Sequence, residues 1–255
     1  MSVRADQALV TQGLAPTRSA AQRLISQGHV EYRRGHDAWQ TLKKASEPIG
    51  LLHELRVTQD DELRWASRAG LKLEGALSRT GASVQGCTAL DIGQSTGGFT
   101  DVLLHAGAEA VVGIDVGHGQ LVDRLRDDPR VVALEGVNAR HLTPELLEGD
   151  FPEGGFDWIV GDLSFISLAL ILPVLSPLLA PQGQVLLLVK PQFELQPADI
   201  GKGGLVKDES SYPVVEAKIR QVCDAQGLSV RDYFQSPIHG GDGNREFFVW
   251  AETQA

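Results

Sequence analysis

Cysteine is scarce in this chain, with Cys87 and Cys223 as the two in 255 residues. They do not form a C-x-x-C pair, which excludes a disulfide scaffold and a paired-cysteine zinc site and fits a reducing cytoplasmic setting. Long apolar runs are missing as well; none approaches the roughly 20 residues needed to span a bilayer. The start, Met1-Ser2-Val3-Arg4-Ala5-Asp6, lacks the apolar core of a signal peptide, so no membrane association is expected. Cations are also in short supply. Twenty-three Lys and Arg stand against 33 Asp and Glu, a net charge of −10, which argues against drawing in a polyanion by overall field. The deficit is uneven, however. Residues 1–60 hold eight basic and six acidic side chains, and the remainder 15 and 27. A nucleic-acid contact would have to come from the N-terminal part and from a local patch on the larger part. No G-x-G-x-x-G and no complete phosphate loop occurs, since Gly201-Lys202-Gly203-Gly204 lacks the following Ser or Thr and the earlier glycine.

What is present is a chain of ordinary globular composition, long enough for a domain of about 190 residues with a small companion. Its organising stretch is Asp91-Ile92-Gly93-Gln94-Ser95-Thr96-Gly97-Gly98-Phe99-Thr100-Asp101. An apolar run leads in and a helical pattern leads out, the strand–turn–helix layout by which a doubly wound α/β sheet holds a nucleotide-like ligand. Glycine lets the backbone turn tightly and a ligand come close. Ser95 stands where a dinucleotide fold needs its second glycine. A dinucleotide requires bare backbone against its pyrophosphate, whereas S-adenosylmethionine has no phosphate and tolerates a small side chain. Val111-Val112-Gly113-Ile114-Asp115 reads as the next parallel strand, ending in a carboxylate placed for ribose hydroxyls.

Ahead of this, residues 3–13 and 18–27 read as short helices, with Thr17 as N-cap of the second. A strand follows from Gly28, then a basic turn at Arg33-Arg34-Gly35. A closing strand at Leu55–Val57 and a polar joint at Asp60-Asp61-Glu62 come next. Arg4-x-Asp6, Gly13-Leu14-Ala15-x-Thr17-Arg18 and Arg23-Leu24-Ile25-x-x-Gly28-x-Val30 resemble the S4 RNA-binding domain over residues 3–60. Arg34-Gly35 replaces that family's usual Asn-Gly. The resemblance implies RNA contacts from Arg4, Arg18, Arg23, Arg33 and Arg34, with Arg68 in the segment beyond.

Residues 67–77 read as a helix with Leu73 and Leu77 facing inward. From Gly86 onward strands and helices alternate, which implies a parallel sheet. Strands end near Asp91, Asp115, Glu135, Asp162 and Lys190. Helices are expected at 97–106, 117–126, 167–180 and 211–226. Pro191–Asp208 reads as a long loop, and strands at Leu228–Phe234 and Arg245–Trp250 close the sheet as an antiparallel pair. The expected division is residues 1–60 and 61–255, with 61–85 as linker and first helix.

Asp162 and Lys190 follow strands, Glu246 begins the last one, and Lys72 lies on the helix before the sheet. Two lysines beside a sulfonium would be costly, and the two carboxylates offset that charge. Together with these residues, Asp91 through Thr100, Asp115-Val116-Gly117-x-Gly119-Gln120-Leu121, Asp162-Leu163-Ser164-Phe165-Ile166-Ser167, Val189-Lys190-Pro191-Gln192-Phe193-Glu194 and Gly243-Asn244-x-Glu246-Phe247 resemble the TlyA family. The family consists of S4-fused, FtsJ-like methyltransferases that act on ribose 2′-hydroxyls of rRNA, and it also carries the label haemolysin.

The resemblance implies a Rossmann-like α/β methyltransferase sheet, mostly parallel with an antiparallel last strand, plus a small N-terminal S4 domain. It implies a catalytic tetrad of Lys72, Asp162, Lys190 and Glu246, with S-adenosylmethionine as cofactor and no metal. Expected cofactor contacts are Asp91, Gly93, Ser95, Thr96, Gly97, Gly98, Phe99, Asp115, Val116, Asn138 and Asp162. The implied substrate is a cytidine of large-subunit rRNA, with small-subunit rRNA as a second target, and the implied partner is a ribosomal subunit. Lys190 is expected to steer and deprotonate the hydroxyl or, if charged, to stabilise the alkoxide. Ala69 and Gln94 depart from residues common in the family. A membrane-active toxin, a non-catalytic ribosome-assembly factor and a nicotinamide-dependent dehydrogenase are the competing readings.

Overall fold

The computed structural model describes residues 2–50, 52–58, 64–241 and 243–254. The acidic joint at Asp60–Glu62 and Asp242 of the turn before Glu246 lie outside them. The chain forms two compact units, Met1–Arg68 and Ala69–Ala255.

In the first unit, β1 (Ser2–Arg4) leads into α1 (Ala5–Thr11), followed by α2 (Arg18–Ser26), β2 (Val30–Arg34), β3 (Gln40–Thr41), β4 (Pro48–Gly50) and β5 (His53–Val57). The helix expected from residue 3 starts later because Ser2–Arg4 pairs with β4 as a strand. Thr17 Oγ1 accepts the Ala20 N–H at 3.2 Å, the N-cap expected from sequence. Ala20, Ala21, Leu24 and Ile25 of α2 bury against Ala5, Ala8 and Leu9 of α1 and against Val30, Leu42 and Leu55. Arg33 and Arg34 lie within β2 rather than in the turn, which begins at Gly35 with φ +59°. Buried Asp6 ties this unit together. Its carboxylate accepts from Arg4 Nε at 3.0 Å, Arg18 Nη2 at 3.0 Å and Gln22 Nε2 at 2.7 Å. The hydrogen bond from Arg4 is the largest influence holding it well below the usual carboxylate range.

The second unit contains α3 (Ala69–Thr80), β6 (Thr88–Ile92), α4 (Gly98–His105), β7 (Ala110–Asp115), α5 (Asp123–Arg126), β8 (Val131–Glu135), β9 (Phe156–Gly161), α6 (Leu172–Leu175), β10 (Leu179–Val189), α7 (Pro191–Glu194), α8 (Tyr212–Ala225), β11 (Leu228–Gln235) and β12 (Phe247–Thr253). Seven strands lie in the order β11-β12-β10-β9-β6-β7-β8. Pairing is parallel from β10 through β8, and β12 runs antiparallel to both its neighbours. Alternating side chains bury both faces of the sheet. Phe248 stacks near Phe99 of α4, while Val249 joins Leu187, Leu172 and Ile219 in the core under α6 and α8.

This topology fixes where chemistry can occur. The chain runs outward from β6 to β7 and β8, then returns to add β9 and β10 on the other side, so the carboxyl ends of β6 and β9 flank a switch point. Because β12 is reversed, its first residues lie at that same edge. The segments around Gly93, Asp162, Lys190 and Glu246 therefore converge.

Two expected helices are not continuous. Between 117 and 122 the backbone is held in a loop by Asp115 Oδ1 on Gly117 N–H and by the left-handed Gly119, leaving only α5. The 167–180 stretch breaks into a 3-10 turn, α6 and a second 3-10 turn, with Pro173 and Pro177 punctuating it. Proline removes a backbone donor and clashes with the preceding turn. The long loop after β10 also holds more structure than expected, namely α7, short 3-10 turns and an Ile200–Val206 bridge.

Candidate active site

Lys72, Asp162, Lys190 and Glu246 come from α3, the β9 end, the β10 end and the approach to β12, and they meet in one chain of ion pairs. Lys72 Nζ lies 2.9 Å from Asp162 Oδ2 and 2.7 Å from Glu246 Oε2, and Lys190 Nζ lies 2.5 Å from Asp162 Oδ1. Lys72, Lys190 and Glu246 are buried. The Lys190–Asp162 and Lys72–Glu246 contacts are close ammonium–carboxylate pairs. Lys190 Nζ also donates to Ser164 Oγ at 2.7 Å.

Burial pulls the Lys72 ammonium down, but Asp162 and Glu246 outweigh it and leave its pKa above the ordinary lysine value. Burial would raise Asp162, and the two lysines more than reverse that, so it sits below the usual range. Glu246 ends above its usual value, because Lys72 only partly offsets its burial. Asp162 is thus the firm anion of the group, and Glu246 is the carboxylate that takes up a proton first.

The glycine turn adjoins this group. Gly93 has φ +79°, a left-handed conformation that favours glycine, and a Cβ there would crowd the Asp162 carbonyl oxygen at 3.3 Å. Ser95 adopts φ +47°, a conformation uncommon outside glycine. Its N–H donates to Asp115 Oδ2 at 2.8 Å. Gly97 is the left-handed N-cap of α4, followed by Gly98 and Phe99 as its first residues, and Thr96 O accepts from Val122 N–H. Asp115 Oδ1 accepts the Gly117 N–H at 2.7 Å. Val116 beside it is 67% exposed. Exposed Asn138 caps the turn at 139–141.

Asp91 and Gln94 lie underneath this turn. Asp91 is buried, and Oδ2 accepts both the N–H and the Oγ1–H of Thr100, at 3.0 and 2.7 Å. Gln94 donates to Thr100 Oγ1 at 2.9 Å and fills the space that Gly113 leaves by lacking a Cβ. The departure at Gln94 therefore packs the floor of the turn. Burial pushes the Asp91 carboxyl up to about 7. A carboxyl raised in the folded state costs nothing while it is protonated in both states. It opposes folding progressively as pH climbs from its unfolded value to about 7. Asp91→Asn is therefore expected to flatten the fall in melting temperature between pH 5 and 8, measured against wild type by thermal melts. Parallel wild-type and variant curves would remove Asp91 as the cause.

One contributor escaped sequence reasoning. Phe165 is 91% exposed, has φ +64° and rests 5.3 Å from the Phe193 ring. With Ser164, Lys190, Phe193 and Glu246 it lines a crevice of about 360 Å³. Only its place three residues after Asp162 could have flagged it. The far end of its loop is fixed by Glu194, which accepts from Ser167 Oγ at 2.6 Å and from Lys218 Nζ at 2.8 Å.

The basic residues of the first unit are distributed differently. Arg4 and Arg18 hold Asp6 while remaining half-exposed. Arg33 pairs with Glu54, and Arg34 is exposed. Arg23 lies in the last turn of α2, and Arg68 is half-buried at the end of the unit. Arg33 and Arg56 both stack on Trp39, at 4.6 and 4.2 Å from its ring centre. The period-two alternation Glu31, Arg33 and Glu54, Arg56 on paired strands is the signal for that surface.

The FtsJ-like methyltransferase family matches residues 65–253, and the S4 domain matches residues 3–32. The 16S/23S rRNA (cytidine-2′-O)-methyltransferase TlyA of Mycobacterium tuberculosis is 42% identical over 251 residues, 98% of this chain and 90% of its own length. The chain belongs to the TlyA family of FtsJ-like methyltransferases. Hemolysin A of Brachyspira hyodysenteriae is 37% identical over 252 residues, covering 97% of this chain and 98% of its own. Among solved structures, a Streptococcus thermophilus protein that bears the haemolysin name superposes with a TM-score of 0.76. It is 41% identical and covers 99% of this chain and 89% of its own. Among the described residues of this TlyA-family chain, no helix is long and apolar enough to cross a membrane.

Proposed function

We propose that this protein methylates the ribose 2′-hydroxyl of a cytidine in rRNA, in the cytoplasm, with S-adenosylmethionine as methyl donor and a ribosomal subunit as its partner. The observation that carries this reading is the Lys72–Asp162–Lys190–Glu246 chain at the edge of the crevice. The S4 domain supports RNA as the substrate.

The residues around the turn suit the donor. Each Asp115 oxygen takes one backbone N–H, from Ser95 or Gly117, which leaves a lone pair on each for a ribose diol. Val116 offers an exposed apolar surface beside it, and Gln94, the one long side chain of the 93–97 turn, is buried beneath it against Thr100 and Gly113. When bound, S-adenosylmethionine supplies a methyl group already activated by its sulfonium.

The remaining work belongs to the protein's own side chains. Lys190, already a donor to Ser164 Oγ, orients the 2′-oxygen and stabilises the negative charge that develops on it as the hydroxyl proton passes to solvent water. Asp162 fixes both lysines, and Lys72 with Glu246 holds Asp162 in place. Phe165 offers an exposed ring on which the target base stacks.

Base stacking on an aromatic side chain is worth about 1–3 kcal/mol. Phe165→Ala is therefore expected to raise the KM for RNA about tenfold and leave donor affinity unchanged, while Phe165→Trp keeps the wild-type value. Steady-state methyl transfer at varied RNA concentration measures this, and a wild-type KM in the alanine variant would exclude the ring. The reading as a whole is tested by incubating purified protein with radiolabelled donor and unmethylated ribosomal subunits. Label in alkali-resistant dinucleotides is the expected product, and its absence from every rRNA would refute the assignment.

A further inference from the structure

The glycine–lysine stretch that fails as a nucleotide phosphate loop is built into the rim of the acceptor crevice. Ile200 and Val206 bridge, and Gly201 N–H donates to Leu205 O at 2.7 Å, closing residues 200–206 into a small clasp. Gly203 and Gly204 both take left-handed φ, +76° and +81°, and they line the crevice with Lys190 and Glu246. A Cβ on either would meet nothing within 4 Å. Packing therefore does not require these glycines. The backbone conformation does, and the bare main chain leaves the rim open to a close-approaching ligand.

Asn244 holds the clasp in register with the site. Its side chain is buried, with Nδ2 donating to Gly204 O at 2.9 Å and Oδ1 accepting from Val206 N–H at 3.0 Å. Glu246 follows two residues later, so the clasp and the ion-pair chain share one short segment.

Lys202 projects from the tip, exposed. In this acidic unit Arg124, Arg130, Arg220, Arg231, Arg245 and Lys218 are each paired with a carboxylate. Lys202 has no ion pair among the described residues. An unneutralised ammonium beside bare backbone at a crevice mouth is the chemistry of a phosphodiester contact.

We infer that the Gly201–Leu205 clasp grips the RNA backbone next to the target nucleotide, with Lys202 on a phosphate. This rests on the RNA-methyltransferase reading and adds a second hold on RNA, within the catalytic unit itself. The test measures methyl transfer to unmethylated ribosomal subunits at several salt concentrations, with wild type, Lys202→Arg, Lys202→Ala and Lys202→Glu.

Losing one phosphate contact lowers the slope of log affinity against log salt by about 0.7–0.9. The expected result is a KM raised about fivefold in Lys202→Ala and more in Lys202→Glu, with the shallower slope in both. Lys202→Arg is expected near wild type, and all variants should retain donor affinity and keep kcat within about twofold at saturating subunits. An unchanged KM or an unchanged salt slope in Lys202→Glu overturns the clasp, and so does a loss confined to kcat. Failure of the underlying reading looks different, because wild type itself would then transfer no methyl to rRNA.

Discussion

Lys190→Ala should lower kcat for methyl transfer by about 1,000-fold, within the range for removing a group that manages a proton or a developing oxyanion. Its amine is the one of the four that both touches Asp162 and lines the crevice beside Ser164 and Phe165. The elements proposed to hold the donor are the 93–97 turn, Asp115 and Val116, whereas the Lys190 amine is engaged with Ser164 and Asp162. Donor affinity by calorimetry is accordingly expected within about threefold of wild type, and far-ultraviolet circular dichroism should be unchanged. Methyl transfer at the wild-type rate in this variant would take Lys190 out of the mechanism. A matching collapse of donor affinity would make its role one of shaping the donor site.

Asp162→Asn should damage both activity and stability. The wild-type carboxylate is shared by two lysines, 2.9 Å from Lys72 and 2.5 Å from Lys190, in a largely buried setting. Removing one partner of a buried ion pair typically costs about 3–5 kcal/mol, because a charge is left without compensation. Glu246 still faces Lys72, so the lower end is expected here, about 3 kcal/mol. For a unit of this size that lowers the melting temperature by roughly 6–12 °C. Activity should fall at least as far as in Lys190→Ala, since Lys190 loses the group that aims it.

Acid should act in the same direction. The stability that Asp162 contributes is present above its unfolded pKa and is lost as pH falls through its lower folded value. Removing a complete pair, with Lys72→Met and Glu246→Gln together, should cost far less stability than Asp162→Asn while still reducing the rate. A thermal melt of Asp162→Asn indistinguishable from wild type would mean that the lysines do not depend on this carboxylate.

Asp162, Lys190 and Glu246 were legible in the sequence because each sits where the strand pattern places an end at one sheet edge, whereas Lys72, inside α3, was assigned through the resemblance to the TlyA family. The antiparallel closing pair mattered for the same reason, since a parallel β12 would have put Glu246 at the opposite edge. Asp91 illustrates what pattern alone leaves open. It opens the glycine turn in sequence, yet its carboxylate is occupied by Thr100 beneath the turn. Phe165 stood within the Asp162–Ser167 motif, but its role was not legible for a related reason. Exposure and a left-handed φ are outcomes of loop geometry, and an isolated Phe in an apolar-rich stretch reads as core. The helices expected at 117–126 and 167–180 show local chemistry overriding apolar spacing, through the Asp115–Gly117 hydrogen bond in the first and Pro173 and Pro177 in the second. The clasp at 200–206 depends on Asn244, some 40 residues along the chain, a link that no local window contains.

The most direct measurement is a nucleotide-resolution map of ribose methylation on ribosomal RNA from three strains. The first lacks the gene, the second has it restored, and the third has it restored as Lys190→Ala. The account predicts a cytidine 2′-O-methyl that vanishes on deletion, returns with the wild-type gene and stays absent with the variant. Identical maps in all three strains, or a mark restored by Lys190→Ala, would contradict it.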